Sequence, residues 1–313
     1  MYKNLIKIPT LNMSHEEWLE HRQKSIGGSD ASTIIGLNPW SSPYTVWADK
    51  LGKIPPKEDN EAMRQGRDLE AYVAERFCEK TGKKVRRENN ILVNPDYPFA
   101  HANVDRLVVG EDAGLECKTT SVLNMKNFKN GSFPDNYYVQ CVHYLMVTGC
   151  KKWYLAVLVL NREFMVFEIE RDEEEIAALA KSEEEFWKLV EAQTPPVADG
   201  SKSTSETISL LYPESNGNSV NLCAYEADIK SYMTYTSLIK DIEKQRDEVA
   251  NRVKAFLGES GWGESNSYKV SYPTTSRSTF DAKRFASEHP DIELSEYYKT
   301  LTYRTFKVTE KTN

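Results

Sequence analysis

Between Asp105 and Lys118 the chain runs Asp-Arg-Leu-Val-Val-Gly-Glu-Asp-Ala-Gly-Leu-Glu-Cys-Lys. Leu107, Val108 and Val109 lead into a Gly-Glu-Asp-Ala-Gly turn and Leu115 restarts the apolar pattern, so the stretch reads as a β-hairpin. Side chains alternate faces along a strand, which puts Glu116 and Lys118 on one face and Cys117 on the other. Closed in register, the hairpin sets Asp105 across from that face. Two carboxylates and an ammonium then converge on one point. Hard divalent cations prefer carboxylate oxygens, and a lysine beside them can position or deprotonate a water. Such a constellation suits hydrolysis of a phosphodiester; the plainer alternative is a solvated hairpin edge with a surface ion pair.

The flanking segments bear on that choice. Residues 61–80 read as an amphipathic helix with Met63, Leu69, Val73 and Phe77 on one stripe and Ala62, Ala71 and Ala74 allowing close packing. Glu70 lies beside the stripe and can reach inward, or pair at the surface with Arg64 or Arg67. Residues 135–149 form a second helix, with Tyr137, Tyr138, Val139, Val142, Leu145 and Met146 as its apolar positions and Gly149 as C-cap. Gln140 and Tyr144 share a face of it, and Gln140 can bond the lysine or a water. Residues 153–160 and 163–170 read as strands, and the acidic residues 172–191 as a closing helix. Ser14 and Glu17 form a capping box that starts a helix over 14–24.

Helix, motif strands, helix, strand, strand, helix is the order of the PD-(D/E)XK nucleases. The chain resembles that superfamily, and within it the YqaJ-type phage recombination exonucleases related to lambda exonuclease. The likeness is carried by Ile26-Gly27-Gly28-Ser29-Asp30-Ala31-Ser32, Ile35-Gly36-Leu37-Asn38-Pro39-Trp40, Gly66-x-x-x-Glu70, His101-Ala102-Asn103-Val104-Asp105, Glu116-Cys117-Lys118 and Gln140-Cys141-Val142-His143-Tyr144, spanning about residues 14–195. It implies an α+β fold: a restriction-endonuclease-like central mixed sheet flanked by helices. It also implies a Mg²⁺ site (Mn²⁺ as a substitute) held by Asp105, Glu116, the Cys117 carbonyl and Glu70, with Lys118 serving the attacking water and Gln140 orienting it. In the lambda-type enzymes an arginine and a serine seven residues later grip the 5′-phosphate; Arg22 and Ser29 have that spacing, and a guanidinium binds phosphate bidentately. Arg22 can equally be a solvated helix residue. Asn103, Tyr144 and Lys126 are further candidate DNA contacts. A second phosphate-gripping arginine of those enzymes is replaced here by Asn124.

The resemblance thus implies a 5′→3′ double-strand DNA exonuclease of phage or prophage origin. Such an enzyme works on duplex ends as a trimeric ring and leaves 3′ overhangs for a single-strand annealing protein. An endonuclease of the same fold and a non-catalytic DNA-end or partner-binding module are the alternatives.

Composition sets bounds. The 313 residues are 40% apolar and 28% charged, as in an ordinary globular protein. No apolar run approaches the roughly 18 residues of a membrane span, and Met1–Thr10 lacks the pattern of a signal peptide. The five cysteines have no metal-type spacing, which fits reduced thiols in a cytoplasm and argues against a four-cysteine iron–sulfur nuclease. The net charge of −7 opposes a DNA-binding role. The acids, however, crowd into residues 168–191, including Glu183-Glu184-Glu185, as a solvated helix face or a partner surface, while bases gather at 80–87 and 118–129.

A nuclease domain over residues 1–196 is followed by a Ser/Thr/Gly/Asn-rich stretch over 197–221, a linker or an extended segment across the nuclease surface, and an accessory region over 222–313. In the last, a long helix over 224–257 carries Ile229, Tyr232, Ile239, Ile242, Val249, Val253 and Phe256 at 3/4 spacing, interrupted by Thr236 and Arg246. It ends at residues 258–263. A strand near 268–272, a helix from Asp281 and a final strand over 301–308 complete a small α+β unit. The aromatics and bases of that unit read as its core and rim, or as a stacking surface for DNA.

Overall fold

The computed structural model describes residues 4–311; Met1–Lys3, part of the stretch read for a signal peptide, lie outside them. In chain order its elements begin with β1 (Ile6–Pro9), α1 (His15–Gln23), α2 (Gly28–Ile34), α3 (Pro43–Lys50) and α4 (Glu61–Thr81). Next come β2 (Val85–Arg87), β3 (Asn90–Val93), β4 (His101–Ala102), β5 (Arg106–Val108), β6 (Ala113–Thr120) and α5 (Asp135–Thr148). β7 (Lys152–Val159), β8 (Glu163–Glu170), α6 (Glu173–Glu191) and α7 (Lys202–Leu211) follow. The last are α8 (Glu226–Leu257), β9 (Trp262–Glu264), β10 (Lys269–Ser271) and α9 (Ala282–Glu288). The chain divides into two compact units, with the boundary between Tyr212 and Pro213.

The first unit is built on a five-stranded mixed sheet of order β2-β5-β6-β7-β8. β5 and β6 form the expected antiparallel hairpin, with Arg106 opposite Leu115. β6 and β7 run parallel in register from Ala113↔Lys152 to Thr120↔Val159, and a parallel pair needs a long crossover, which α5 supplies. Alternation along β6 assigns its two faces. Ala113, Leu115 and Cys117 pack with Val73, Ala74 and Phe77 of α4, whereas Glu116 and Lys118 point to α5. β7 divides likewise: Tyr154 and Ala156 lie on the α4 side, and Trp153, Leu155, Val157 and Val159 on the side covered by α2, α3, α5 and α6. Each such buried aliphatic side chain contributes roughly 1.5–3 kcal/mol. The sheet is therefore central and mixed, with helices on both faces. A second sheet, β1-β3-β4, is tied to the start of α2 by a parallel bridge between Ile26 and Ala100.

Local signals explain the helix ends. Ser14 and Glu17 make the capping box of α1, and Gly149 ends α5 in the left-handed region at φ 66°. α4 departs from the expected stripe: only Val73, Ala74 and Phe77 are buried, while Met63 is exposed. The first turns of α4 reach beyond the packed sheet toward the open end of β6, where Gly66 comes near Thr119.

Three further expectations need correction. Residues 202–211, read as linker, form α7, which docks on α3 through bonds of Thr45 Oγ1 to the Ser203 and Thr207 hydroxyls (2.7 Å each) and of Thr204 Oγ1 to Ser42 Oγ (2.8 Å). The Ser/Thr composition that suggests a loop is here the adhesive. Glu183, placed on a solvated face, is fully buried against His143 of α5. The final strand over 301–308 does not form, because no sheet edge is paired with it and strand propensity is realised only through cross-strand neighbours.

The second unit consists of α8, the two-stranded antiparallel ribbon β9-β10 and α9. None of its described residues is buried, so its aromatics form no core. Ile239, Ile242, Val249 and Phe256 all lie exposed along α8. Among the described residues no helix is long and apolar enough to cross a membrane.

Candidate active site

The hairpin delivers its acids as alternation requires. The carboxylate of Asp105, just before β5, accepts a hydrogen bond from the Cys117 backbone N–H at 2.7 Å, which clamps it against the strand carrying Glu116 and Lys118. Lys118 Nζ lies 2.6 Å from Glu116 Oε1 and donates to Gln140 Oε1 at 2.9 Å. Gln140 Nε2 donates to Glu116 Oε1 (2.9 Å) and to the Tyr144 hydroxyl (2.8 Å). The amide thus ties α5 to the motif strand. Glu70 is turned inward, against the alternative of surface pairing: it accepts from Arg106 Nη1, and the same nitrogen reaches the Asp105 carbonyl at 2.6 Å. Arg67 and Arg64 pair instead with Asp59 and Asp68.

Electrostatics mark this cluster as short of positive charge. Burial, followed by the charges of Glu116 and Glu70, lifts the Asp105 carboxyl well above the usual carboxylate range, against the opposing pull of Lys118 and the Cys117 N–H. Burial works against a charge on Lys118, but Glu116 and Asp105 outweigh it and hold the ammonium above its ordinary range. Glu116 Oε2 is buried with no hydrogen-bond partner, a costly state for a carboxylate oxygen. A hard cation fits that orphaned atom and the carboxylate oxygens gathered around it. Among the described residues no three His, Cys, Asp or Glu side chains stand ready-made as a metal cage, since Glu70 is engaged by Arg106 and Asp105 by Cys117.

Arg22 and Ser29 are also brought together. Arg22 Nη2 donates to Ser29 Oγ at 3.3 Å and lies 3.5 Å from Asp30 Oδ1, and its guanidinium sits 5.0 Å over the Trp18 ring. Their position relative to Gln140 is set by Gly28. A Cβ there would stand 2.7 Å from the Tyr144 ring and 3.2 Å from Gln140 Cγ, so only glycine lets α2 approach α5 this closely. Tyr144 itself is 4% exposed, which makes it a strut for Gln140 rather than a DNA contact. Asn103 lines a polar cleft of about 290 Å³ with Glu70, Asp105, Arg106, Arg67 and Arg87. Lys126 is exposed on the 3₁₀ segment Val122–Gly131 after β6, and Asn124 bonds Thr120.

Two features escaped the sequence reading. Lys50 is fully enclosed and pairs with Asp30 Oδ2 at 2.7 Å; its spacing from Val46 and Trp47 on α3 was the available signal. A buried chain of polar groups also runs from Glu183 through His143 to the His101 carbonyl, with His101 Nδ1 2.8 Å from Ser25 Oγ. All five cysteines are free thiols.

The family model described as the YqaJ-like viral recombinase domain matches residues 17–151. The chain is also 39% identical over 305 residues to the uncharacterized protein YqaJ of Bacillus subtilis (strain 168), covering 95% of each. It belongs to the YqaJ-like viral recombinase family. Solved structures similar to this YqaJ-family chain include an alkaline exonuclease (LHK-Exo) from Laribacter hongkongensis, at 21% identity and a TM-score of 0.49 over 57% of this chain and 94% of that one. The same enzyme in complex with dAMP matches at 22% identity and a TM-score of 0.49, over the same shares of each chain. A phage related exonuclease from Haemophilus somnus 129PT matches at 15% and 0.42, over 54% and 96%.

Proposed function

We propose that this YqaJ-family chain is a divalent-metal-dependent deoxyribonuclease that digests duplex DNA ends in the 5′→3′ direction. The observation that carries the reading is the convergence of Asp105, Glu116, Lys118 and Gln140 around an unpartnered, buried Glu116 oxygen. Asp105, Glu116 and the Cys117 carbonyl would hold Mg²⁺ or Mn²⁺, with Glu70, steadied by Arg106, assisting. When bound, the cation supplies charge neutralisation at the scissile phosphate and acidifies water.

The protein's own groups set the geometry. A lysine ammonium has three hydrogens; Glu116 and Gln140 engage two, leaving the third for an oxygen of water or phosphate. Without the cation, Glu116 and Asp105 hold Lys118 in its charged form, and as an ammonium its part is to orient and to donate. Gln140, with its amide fixed from both sides, holds Lys118 on that line. Arg22 and Ser29 take the 5′-terminal phosphate and so define which end is cut. By family resemblance the enzyme works in the bacterial cytoplasm as a trimeric ring, and a single-strand annealing protein loads on the 3′ overhang it leaves. A ring keeps DNA by enclosure, which accommodates the net charge of −7.

End-labelled linear duplex and a closed circle, each with Mg²⁺, Ca²⁺ or EDTA, test this. The expected result is release of nucleotides from 5′ ends of the linear form with Mg²⁺ alone. Equal cutting of the circle would make the protein an endonuclease, and no release in any condition would make it a binding module.

A further inference from the structure

Lys50, at the end of α3, has no solvent-exposed side-chain surface. Its ammonium makes two contacts, with Asp30 Oδ2 at 2.7 Å and with the Arg22 backbone carbonyl at 2.6 Å. Asp30 Oδ2 also accepts from the Gly27 N–H at 2.9 Å, so that oxygen is well satisfied from within the fold. The other oxygen, Oδ1, faces Arg22 at 3.5 Å. The two hydrogen bonds that the Arg22 guanidinium makes, to Asp30 and to Ser29, use Nη2 and are long beside the roughly 2.7–2.9 Å of a charge-assisted bond.

The division of Asp30 between two cations is thus unequal. Lys50 holds it closely in a buried setting, and Arg22 only loosely at the surface. Were Lys50 neutral, the one cation left in contact with Asp30 would be Arg22, which would close into a tight carboxylate–guanidinium pair. Any incoming anion would then have to break that pair first. We infer that Lys50 is a positioning residue for recognition of a 5′-terminal phosphate: by occupying Asp30 it leaves the guanidinium of Arg22 open to the phosphate beside Ser29. Asp30 supports this by staying ionised. Burial pushes its carboxyl up, but Lys50 and then Arg22 hold it well below the usual range.

The inference rests on Arg22 and Ser29 being the phosphate site, and one set of variants separates the two ideas. The readout is the ratio of digestion rates on linear duplexes with 5′-phosphate and with 5′-hydroxyl ends, taken on the same preparation so that the folded fraction cancels. Arg22→Gln is expected to lower the ratio about tenfold, the size of a charge-assisted bond to an anion. Lys50→Met should lower it comparably, and the double variant Lys50→Met/Asp30→Asn, with no carboxylate left to capture Arg22, should recover most of it. A merely structural lysine would not be rescued in this ratio by neutralising its partner. If Arg22→Gln leaves the ratio unchanged, the phosphate site itself is misassigned. If Arg22→Gln lowers it and Lys50→Met does not, the role given to Lys50 is overturned. Should Lys50→Met fail to fold, the double variant decides: a ratio within about twofold of the unmodified protein supports the inference, and one as low as that of Arg22→Gln overturns it.

Discussion

Replacing Asp105 with asparagine should make the metal-free protein more stable while abolishing its activity. Extending the hairpin register from Arg106↔Leu115 sets Asp105 opposite Glu116, where Cβ atoms lie about 5 Å apart. Like charges at that distance repel by about 3 kcal/mol at an effective dielectric of 20. Lys118 and the Cys117 N–H offset part of it. The substituted amide would still accept from Cys117, and its NH₂ can donate to the orphaned Glu116 Oε2, adding about 1 kcal/mol. A net gain of about 2 kcal/mol in EDTA at pH 8 is expected, read by urea unfolding. The folded protein holds the Asp105 proton more tightly than the unfolded chain. Stability of the unmodified protein in EDTA therefore rises as pH falls from that elevated pKa toward the ordinary carboxylate value, and Asp105→Asn lacks this rise. Mg²⁺ at a hundredfold over its Kd should stabilise the unmodified protein by about 2.7 kcal/mol and leave Asp105→Asn unmoved. A variant less stable than its parent in EDTA, or one stabilised equally by Mg²⁺, would refute the reasoning.

Lys118→Met should reduce digestion of linear duplex by about 10²–10⁴-fold yet keep the Mg²⁺-induced rise in melting temperature; undiminished cleavage would remove the lysine from the chemistry. Gly28→Ala forces a Cβ into the Tyr144 ring and should destabilise by about 1–3 kcal/mol, with a neutral unfolding midpoint counting against the close approach of α2 and α5. Glu183→Ala strands His143 in the core, where burial opposes its charge and Glu183 restores it, at an expected cost of about 3–5 kcal/mol. Glu184→Ala, one residue on and exposed, should stay within about 0.5 kcal/mol; similar losses for the two would void the assignment.

The motif was legible because its signal is local. A strand's alternation and one turn decide where Asp105, Glu116 and Lys118 point, and Gln140 follows from a helix that must cross between parallel strands. Glu183 was misread because its neighbours are chemically identical. Yet Ile176, Leu179, Glu183, Phe186 and Val190 share one 3/4 stripe and are all buried, so the spacing held information that composition masked. Lys50 shows the same lesson on α3. α7 was invisible for another reason: it is held in part by hydroxyl contacts to a helix some 160 residues earlier in the chain, and nothing within its ten residues announces a distant partner. In the last hundred residues the periodicity of α8 was plain, while the absence of any buried described residue depends on tertiary context that no window of sequence contains.

Strand β6 packs Ala113, Leu115 and Cys117 against α4 on one face and turns Glu116 and Lys118 toward α5 on the other. A slip of one residue against its neighbours would drive Lys118 and Glu116 into the apolar layer beneath α4 and turn Leu115 and Cys117 toward Gln140. No stable molecule can accept that exchange. The burial that specifies the register of β6 therefore also specifies the alignment of the constellation.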